Sequence, residues 1–191
     1  MESGVAVDTY WDLGMDDATA ILFVQNCGRE LHLIDYYEDS GEGLPYYVSI
    51  LNEKAREHGY LYGMHVLPHD AKVREMGTGT SRLTTAKGLL GVDKVKVAKK
   101  PAKKEDAIEA ARNIWGRVWI DEARCQHFLD AMHSYRKEYD EKHHTYKNHA
   151  VHDWSSHAAD AFMVLAMGHE FSTLISVPRR AVQQRAAVGW T

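Results

Sequence analysis

The sequence predicts an α/β protein: one central sheet that opens with an antiparallel meander and is covered by amphipathic helices. Three observations carry this. Three β-rich segments follow one another through short turns within the first forty residues. The segments after them mostly carry apolar residues at helical spacing. Aspartates recur where elements begin or end.

The first strand is read from Gly4-Val5-Ala6-Val7-Asp8-Thr9-Tyr10-Trp11-Asp12, which runs into Leu13-Gly14-Met15-Asp16-Asp17, where glycine and acids signal a turn. Residues 18–25 form the second strand, Asn26-Cys27-Gly28-Arg29 the next turn, and residues 30–37 the third strand, with Leu31, Leu33, Ile34 and the tyrosines on its apolar side. Gly41, Gly43 and Pro45 break that pattern. Residues 45–58 then put Tyr47, Ile50, Leu51 and Ala55 at helical spacing, and Gly59 closes the helix. Residues 60–67 are a fourth strand ending in Pro68-His69-Asp70, and residues 81–90 a capped helix stopped by Gly91. A short strand spans 95–98, and Glu105 to Trp115 is amphipathic with acids in its first turn. Residues 118–120 are a short strand. Residues 122–139 are expected to form one long helix with Phe128, Leu129, Met132 and Tyr135 on one side, followed by a polar loop rich in His and Lys. The last helix begins near Asp153 and turns apolar from Ala158 onward.

With 191 residues, 45% of them apolar and 26% charged, the chain is read as one globular domain over residues 1–171 and a flexible basic tail over 172–191 that carries Arg179, Arg180 and Arg185. No run of apolar residues is long enough for a membrane span, and the start lacks the pattern of a signal peptide. Cys27 and Cys125 are lone thiols without metal or redox spacing, which suits a reducing compartment. Residues 77–82 are rich in glycine, threonine and serine but lack the Gly-Lys-Ser/Thr ending of a nucleotide-binding loop. His143, His144, His149, His152 and His157 match no zinc motif.

The net charge of -4 argues against binding nucleic acid through overall charge, but Lys94, Lys96, Lys99, Lys100, Lys103 and Lys104 form one dense run. Such a run is a solvated face unless the acids form a nuclease centre. Asp12, Asp70 and Asp160 each stand at a strand end or near a helix start, where one sheet can bring them together. Three converging carboxylates repel one another unless cations hold them, and oxygen ligands suit Mg²⁺ and Mn²⁺. Two such ions activate a water and stabilise the leaving oxygen of a phosphodiester. In the last helix, positions 153, 157, 160 and 164 fall along one side. Asp153 is read as that helix's cap and Asp160 as the acid it presents, with Asp153, Asp17 and His157 as accessory candidates.

The segment Asp12-Leu13-Gly14-Met15-Asp16-Asp17, the strand end Leu67-Pro68-His69-Asp70-Ala71, the stretch Gly79-Thr80-Ser81-Arg82 and the block His152-Asp153-Trp154-Ser155-Ser156-His157-Ala158-Ala159-Asp160-Ala161-Phe162 together resemble the carboxy-terminal nuclease domain of tailed-phage terminase large subunits. The resemblance spans residues 3–170, and the last block is its most specific part. It implies a ribonuclease H-like fold, a mixed sheet whose first three strands are antiparallel, flanked by helices. It also implies cutting of concatemeric double-stranded DNA with two divalent cations, Mg²⁺ or Mn²⁺. By position, Asp12, Asp70 and Asp160 are then the metal-binding triad, with Asp17 and His157 as second-choice members, and on the nuclease reading the six lysines are candidate contacts to the DNA backbone.

The implied partners are double-stranded DNA, an amino-terminal ATPase domain, the portal and the small terminase subunit, and the implied location is the host cytoplasm. The chain has no Walker A motif, and Met1-Glu2-Ser3-Gly4 reads as the start of an isolated domain. A junction-resolvase-like nuclease of the same fold, and a portal-docking module with gated nuclease activity, are the competing readings.

Overall fold

The computed structural model describes residues 1–14, 17–74 and 79–169. The tail expected over 172–191 and part of the glycine-rich stretch at 77–82 lie outside those residues. β1 (Val7–Asp12), β2 (Ala18–Cys27) and β3 (Glu30–Ser40) form the antiparallel meander. β4 (Tyr62–Leu67) pairs with β1, β5 (Val95–Val97) with β4, and β6 (Val118–Ile120) with β3, all in parallel, giving the order β5-β4-β1-β2-β3-β6. β2 lies inside this mixed sheet with both faces covered, which accounts for its unbroken buried run from Thr19 to Gln25.

Helices cover both faces. α1 (Leu44–His58) and α2 (Arg82–Leu90) pack Tyr47, Leu51 and Ala86 against Val7, Trp11, Ile21 and Phe23. Gly59 ends α1 in the left-handed region at φ 72°, as its position after the last apolar turn predicts. Ser81 caps α2 by accepting from the Thr84 amide. On the opposite face, α3 (Lys104–Trp115), α4 (Gln126–Ser134) and α5 (Ser155–Gly168) bury Ile114, Phe128, Phe162 and Leu165 against Tyr10, Leu22, Val24 and Leu33. Burying a side chain such as Phe162 is worth about 2 to 3 kcal/mol. α5 lies flat on the sheet between α3 and α4 because Ala158, Ala159 and Ala161 permit close approach. At its end, a Cβ on Gly168 would sit 2.6 Å from Val66 Cγ1.

Two sequence expectations are corrected. The long helix over 122–139 is only α4: Tyr135 turns extended, at φ -65° and ψ 119°, and ends it. The polar loop that follows is a hairpin of β7 (Lys137–Asp140) and β8 (Thr145–Ala150), with Tyr139 against Tyr146. Neither strand buries a face, so no alternation marked them in the sequence.

One irregularity determines which residues of β3 meet the site. Opposite β2, Val24 pairs with Leu33 but Phe23 pairs with Asp35, so Ile34 is an extra residue, a β-bulge. Leu31 and Leu33 therefore face α4 and α5. Beyond the bulge Asp35 and Tyr37 turn toward α1, and Tyr36 and Glu38 take the α5 side.

Candidate active site

β1, β3, β4, β5 and β6 all run in one direction, so their carboxyl ends share one rim of the sheet. β1 ends there at Asp12. β4 ends at Leu67, and after Pro68 the chain makes a 3-10 turn, His69–Lys72, that carries Asp70. Ala71 anchors this turn by burying its side chain beneath the sheet. β5 leads to Lys99, and α5 crosses above the rim, bringing His157 and Asp160 with it. Asp12, Asp70 and Asp160 thus line one cleft of about 360 Å³, with Lys99, Lys103 and Lys104 on its wall.

The electrostatics follow from this convergence. Burial raises the Asp12 carboxyl above its ordinary pKa, and the charges of Asp160 and Asp70 push the same way, while His157 opposes them. His157 Nδ1 lies 3.7 Å from Asp12 Oδ2, and this carboxylate holds the imidazole above its usual value. Lys104 Nζ sits 3.0 Å from Asp160 Oδ1, and Asp160 and Asp12 raise its pKa against the opposing effect of burial. Among the described residues no three His, Cys, Asp or Glu side chains stand close enough together to hold a metal ion. The donor set nevertheless suits a divalent cation: it is made of carboxylate oxygens, it repels itself, and an ammonium group already stands against Asp160 as a substitute cation.

The accessory candidates separate. Asp17 bonds His152 Nε2 at 2.8 Å and lies 3.7 Å from His157 Nε2, so it ties the β1–β2 loop to the start of α5. Asp153 accepts from the Ser155 amide and hydroxyl and pairs with Arg136 at 3.1 Å, which makes it a helix-start acceptor. Asp153 thus has partners of its own and does not line the cleft with Asp160, although the two share a helix side in a simple projection. The lysine run divides as well. Lys94 reaches the Tyr62 carbonyl at the start of β4, the end of the sheet opposite the cleft. Lys96 lies close enough to Asp8 to stabilise its charge, and neither Lys96 nor Lys100 lines the cleft.

Sequence reasoning missed two participants. Glu38 lies in one row with Asp12, through the pairs Asp12–Ala20 and Ala20–Glu38, and its charge helps raise the His157 pKa. The adjacent apolar residues Leu33 and Ile34, which interrupt the alternation of β3, were the available signal. His152, read only for zinc, bridges Asp17 and Ser156. Arg82 also connects here, donating to the Leu13 carbonyl just past Asp12.

The sheet order, the antiparallel first three strands and the carboxylates on the rim define a ribonuclease H-like fold. More narrowly, it is the fold of phage large-terminase nuclease domains. The g2p nuclease domain of bacteriophage SPP1, solved with bound Mn, matches at TM-score 0.58 and 16% identity, over 83% of this chain and 84% of that one. The P22 large-terminase nuclease domain matches at TM-score 0.58 and 15% identity, over 87% and 82%. A large terminase from a thermophilic bacteriophage matches at TM-score 0.59 and 15% identity; 87% of this chain spans 40% of that protein's length. No family model and no curated protein matches the chain.

Proposed function

We propose that this chain is the metal-dependent endonuclease domain of a phage DNA-packaging terminase, cutting concatemeric double-stranded DNA. The observation that carries the reading is the convergence of Asp12, Asp70 and Asp160, from three elements far apart in sequence, on one lysine-walled cleft within a terminase-nuclease fold. Asp12 and Asp70 would hold one divalent cation and Asp160 would complete a second site, with Mg²⁺ or Mn²⁺ as the ions. When bound, such ions supply Lewis acidity, making a water acidic and neutralising charge on the phosphate.

The chain's own residues do the rest. His157 stands 3.7 Å from Asp12 and opposes the burial that raises this carboxyl, favouring its charged form. Lys99 and Lys103 contact the DNA backbone, which gives salt-sensitive binding without sequence preference. Met163, Val164 and Met167 give the cleft a water-excluding wall. The remaining activities of packaging belong to partners: an ATPase domain, the portal and the small subunit, working in the host cytoplasm.

Cleavage of linear duplex DNA in Mn²⁺ tests this directly. Asp12→Ala and Asp160→Ala each abolish cutting, whereas Lys100→Ala, outside the cleft, retains it. Unchanged cutting by Asp160→Ala overturns the assignment, and a preference for branched over linear DNA favours a junction resolvase.

A further inference from the structure

We infer that the stacked rings of His127 and Trp154 form a binding site for an unpaired nucleobase of the DNA strand that crosses the acidic cleft, an inference that rests on the nuclease reading.

Trp154 immediately precedes α5 and is 46% exposed, although a tryptophan of this size is highly buried on average. One indole face is covered by the imidazole of His127, from the first turn of α4, with ring centroids 5.6 Å apart and planes inclined by 24°. The His127 side chain is itself 57% exposed, yet it is held in place. Its Nε2 lies 3.5 Å from Glu38 Oε2, and its ring lies 5.9 Å from that of Tyr36, whose hydroxyl donates to the same Glu38 carboxylate. The stack is therefore a fixed platform on the protein surface, anchored by a largely buried acid.

Its position gives the platform a use. Glu38 stands in the row Asp12–Ala20–Glu38, two strands from Asp12, which is about 10 Å at the usual strand spacing. On the other side of Asp12 the rim passes to Asp70 and then to Lys99. α5 runs along the same line: Trp154 lies beside His127, His157 beside Asp12, and Asp160 beside Lys104. A strand with its backbone on the lysines and a phosphate at the carboxylates would carry its next nucleotide or two onto the stacked rings. Arg136, paired with Asp153 next to Trp154, supplies a cation for the phosphate there.

Flat aromatic faces take any base, so the platform adds affinity without reading sequence. A base inside an intact duplex has no free face. The platform consequently favours opened or single-stranded DNA over closed duplex, a preference that phosphate-binding lysines alone do not create.

The test is binding measured in EDTA, where no cutting takes place. Fluorescence anisotropy compares a labelled single strand with a blunt duplex of the same sequence, for the parent chain, Trp154→Ala and Trp154→Phe. Trp154→Ala is expected to weaken single-strand binding about tenfold, to leave duplex binding unchanged, and to be largely rescued by Trp154→Phe. A single strand containing 2-aminopurine is quenched on binding by the parent and less by Trp154→Ala, which reads the stacking itself. Equal losses for both DNA forms, or no loss for either, overturn the platform alone. A parent chain that binds neither DNA overturns the nuclease reading instead.

Discussion

Lys104 Nζ lies 3.0 Å from Asp160 Oδ1 and 3.3 Å from its Oδ2, so an ammonium group straddles the carboxylate in the acidic cleft. Residues 56 apart in sequence supply this pair, one from the first turn of α3 and the other from the middle of α5. Both are partly solvated, so the pair is weak and exchangeable. An incoming divalent cation has to displace it. Lys104→Met is expected to tighten Mn²⁺ binding about threefold by calorimetry, while raising KM for DNA because a cation is lost from the wall. Weaker Mn²⁺ binding in the variant would show that the lysine supports the ion site.

The opposite face carries a tighter pair. Lys54 Nζ lies 2.6 Å from Asp35 Oδ2, with both side chains largely buried, and Tyr60 donates to the same oxygen. Lys54→Met leaves a buried carboxylate without its counter-ion and is expected to cost about 3 kcal/mol in urea unfolding. A loss well below about 1 kcal/mol would mean that Tyr60 and Arg124, which donates to Tyr60, satisfy Asp35 by themselves.

His65 predicts a pH dependence of stability. The Trp11 indole donates to Thr9 Oγ1, which lies 2.7 Å from the buried His65 Nδ1. Burial, with Lys94 adding, lowers the imidazole from 6.5 to about 4. The unfolded chain therefore takes up the proton first as pH falls. The His65 contribution is complete above about pH 6.5 and is lost as pH drops toward 4. His65→Asn keeps a polar partner for Thr9 without the titration. Between pH 7.5 and pH 5 the parent should lose about 2 kcal/mol more than the variant in unfolding free energy, and parallel losses would contradict a neutral buried His65.

Gly14 is fixed by close approach. A Cβ there would collide with the Asp17 carbonyl oxygen and sit 2.5 Å from that of Ala18. Both are backbone atoms, so the loop has to move. Gly14→Ala is expected to cost about 1 to 3 kcal/mol and, by shifting Asp17 away from His152 and His157, to lower kcat more than KM. Parent-like kinetics at reduced stability would separate the loop from the site.

The extent to which the sequence revealed these features follows from the range of each signal. β1 to β3 and α1 were readable because each carries its own periodicity and stop, such as Gly59. Asp12 and Asp70 were readable as acids at strand ends, a position visible without the fold. The hairpin at β7 and β8 was not, because a ribbon with two wet faces has no reason to alternate. The end of α4 was obscured by Tyr135, which continues the apolar spacing of the helix while adopting extended backbone. The pairing of Lys104 with Asp160 depends on how α3 lies against α5, and no local pattern encodes that.

Glu38 escaped for a different reason, and it bears on how β3 tolerates change. Up to Leu33 the strand serves the hydrophobic interior, and after Ile34 it serves the rim, with its sides exchanged. Shortening the strand by that one residue would send Glu38 and Tyr36 under α1 and swing Asp35 away from Lys54, uprooting His127 as well. Every side chain would keep its chemistry and lose its neighbour. β3 can therefore absorb many substitutions, but its length is fixed.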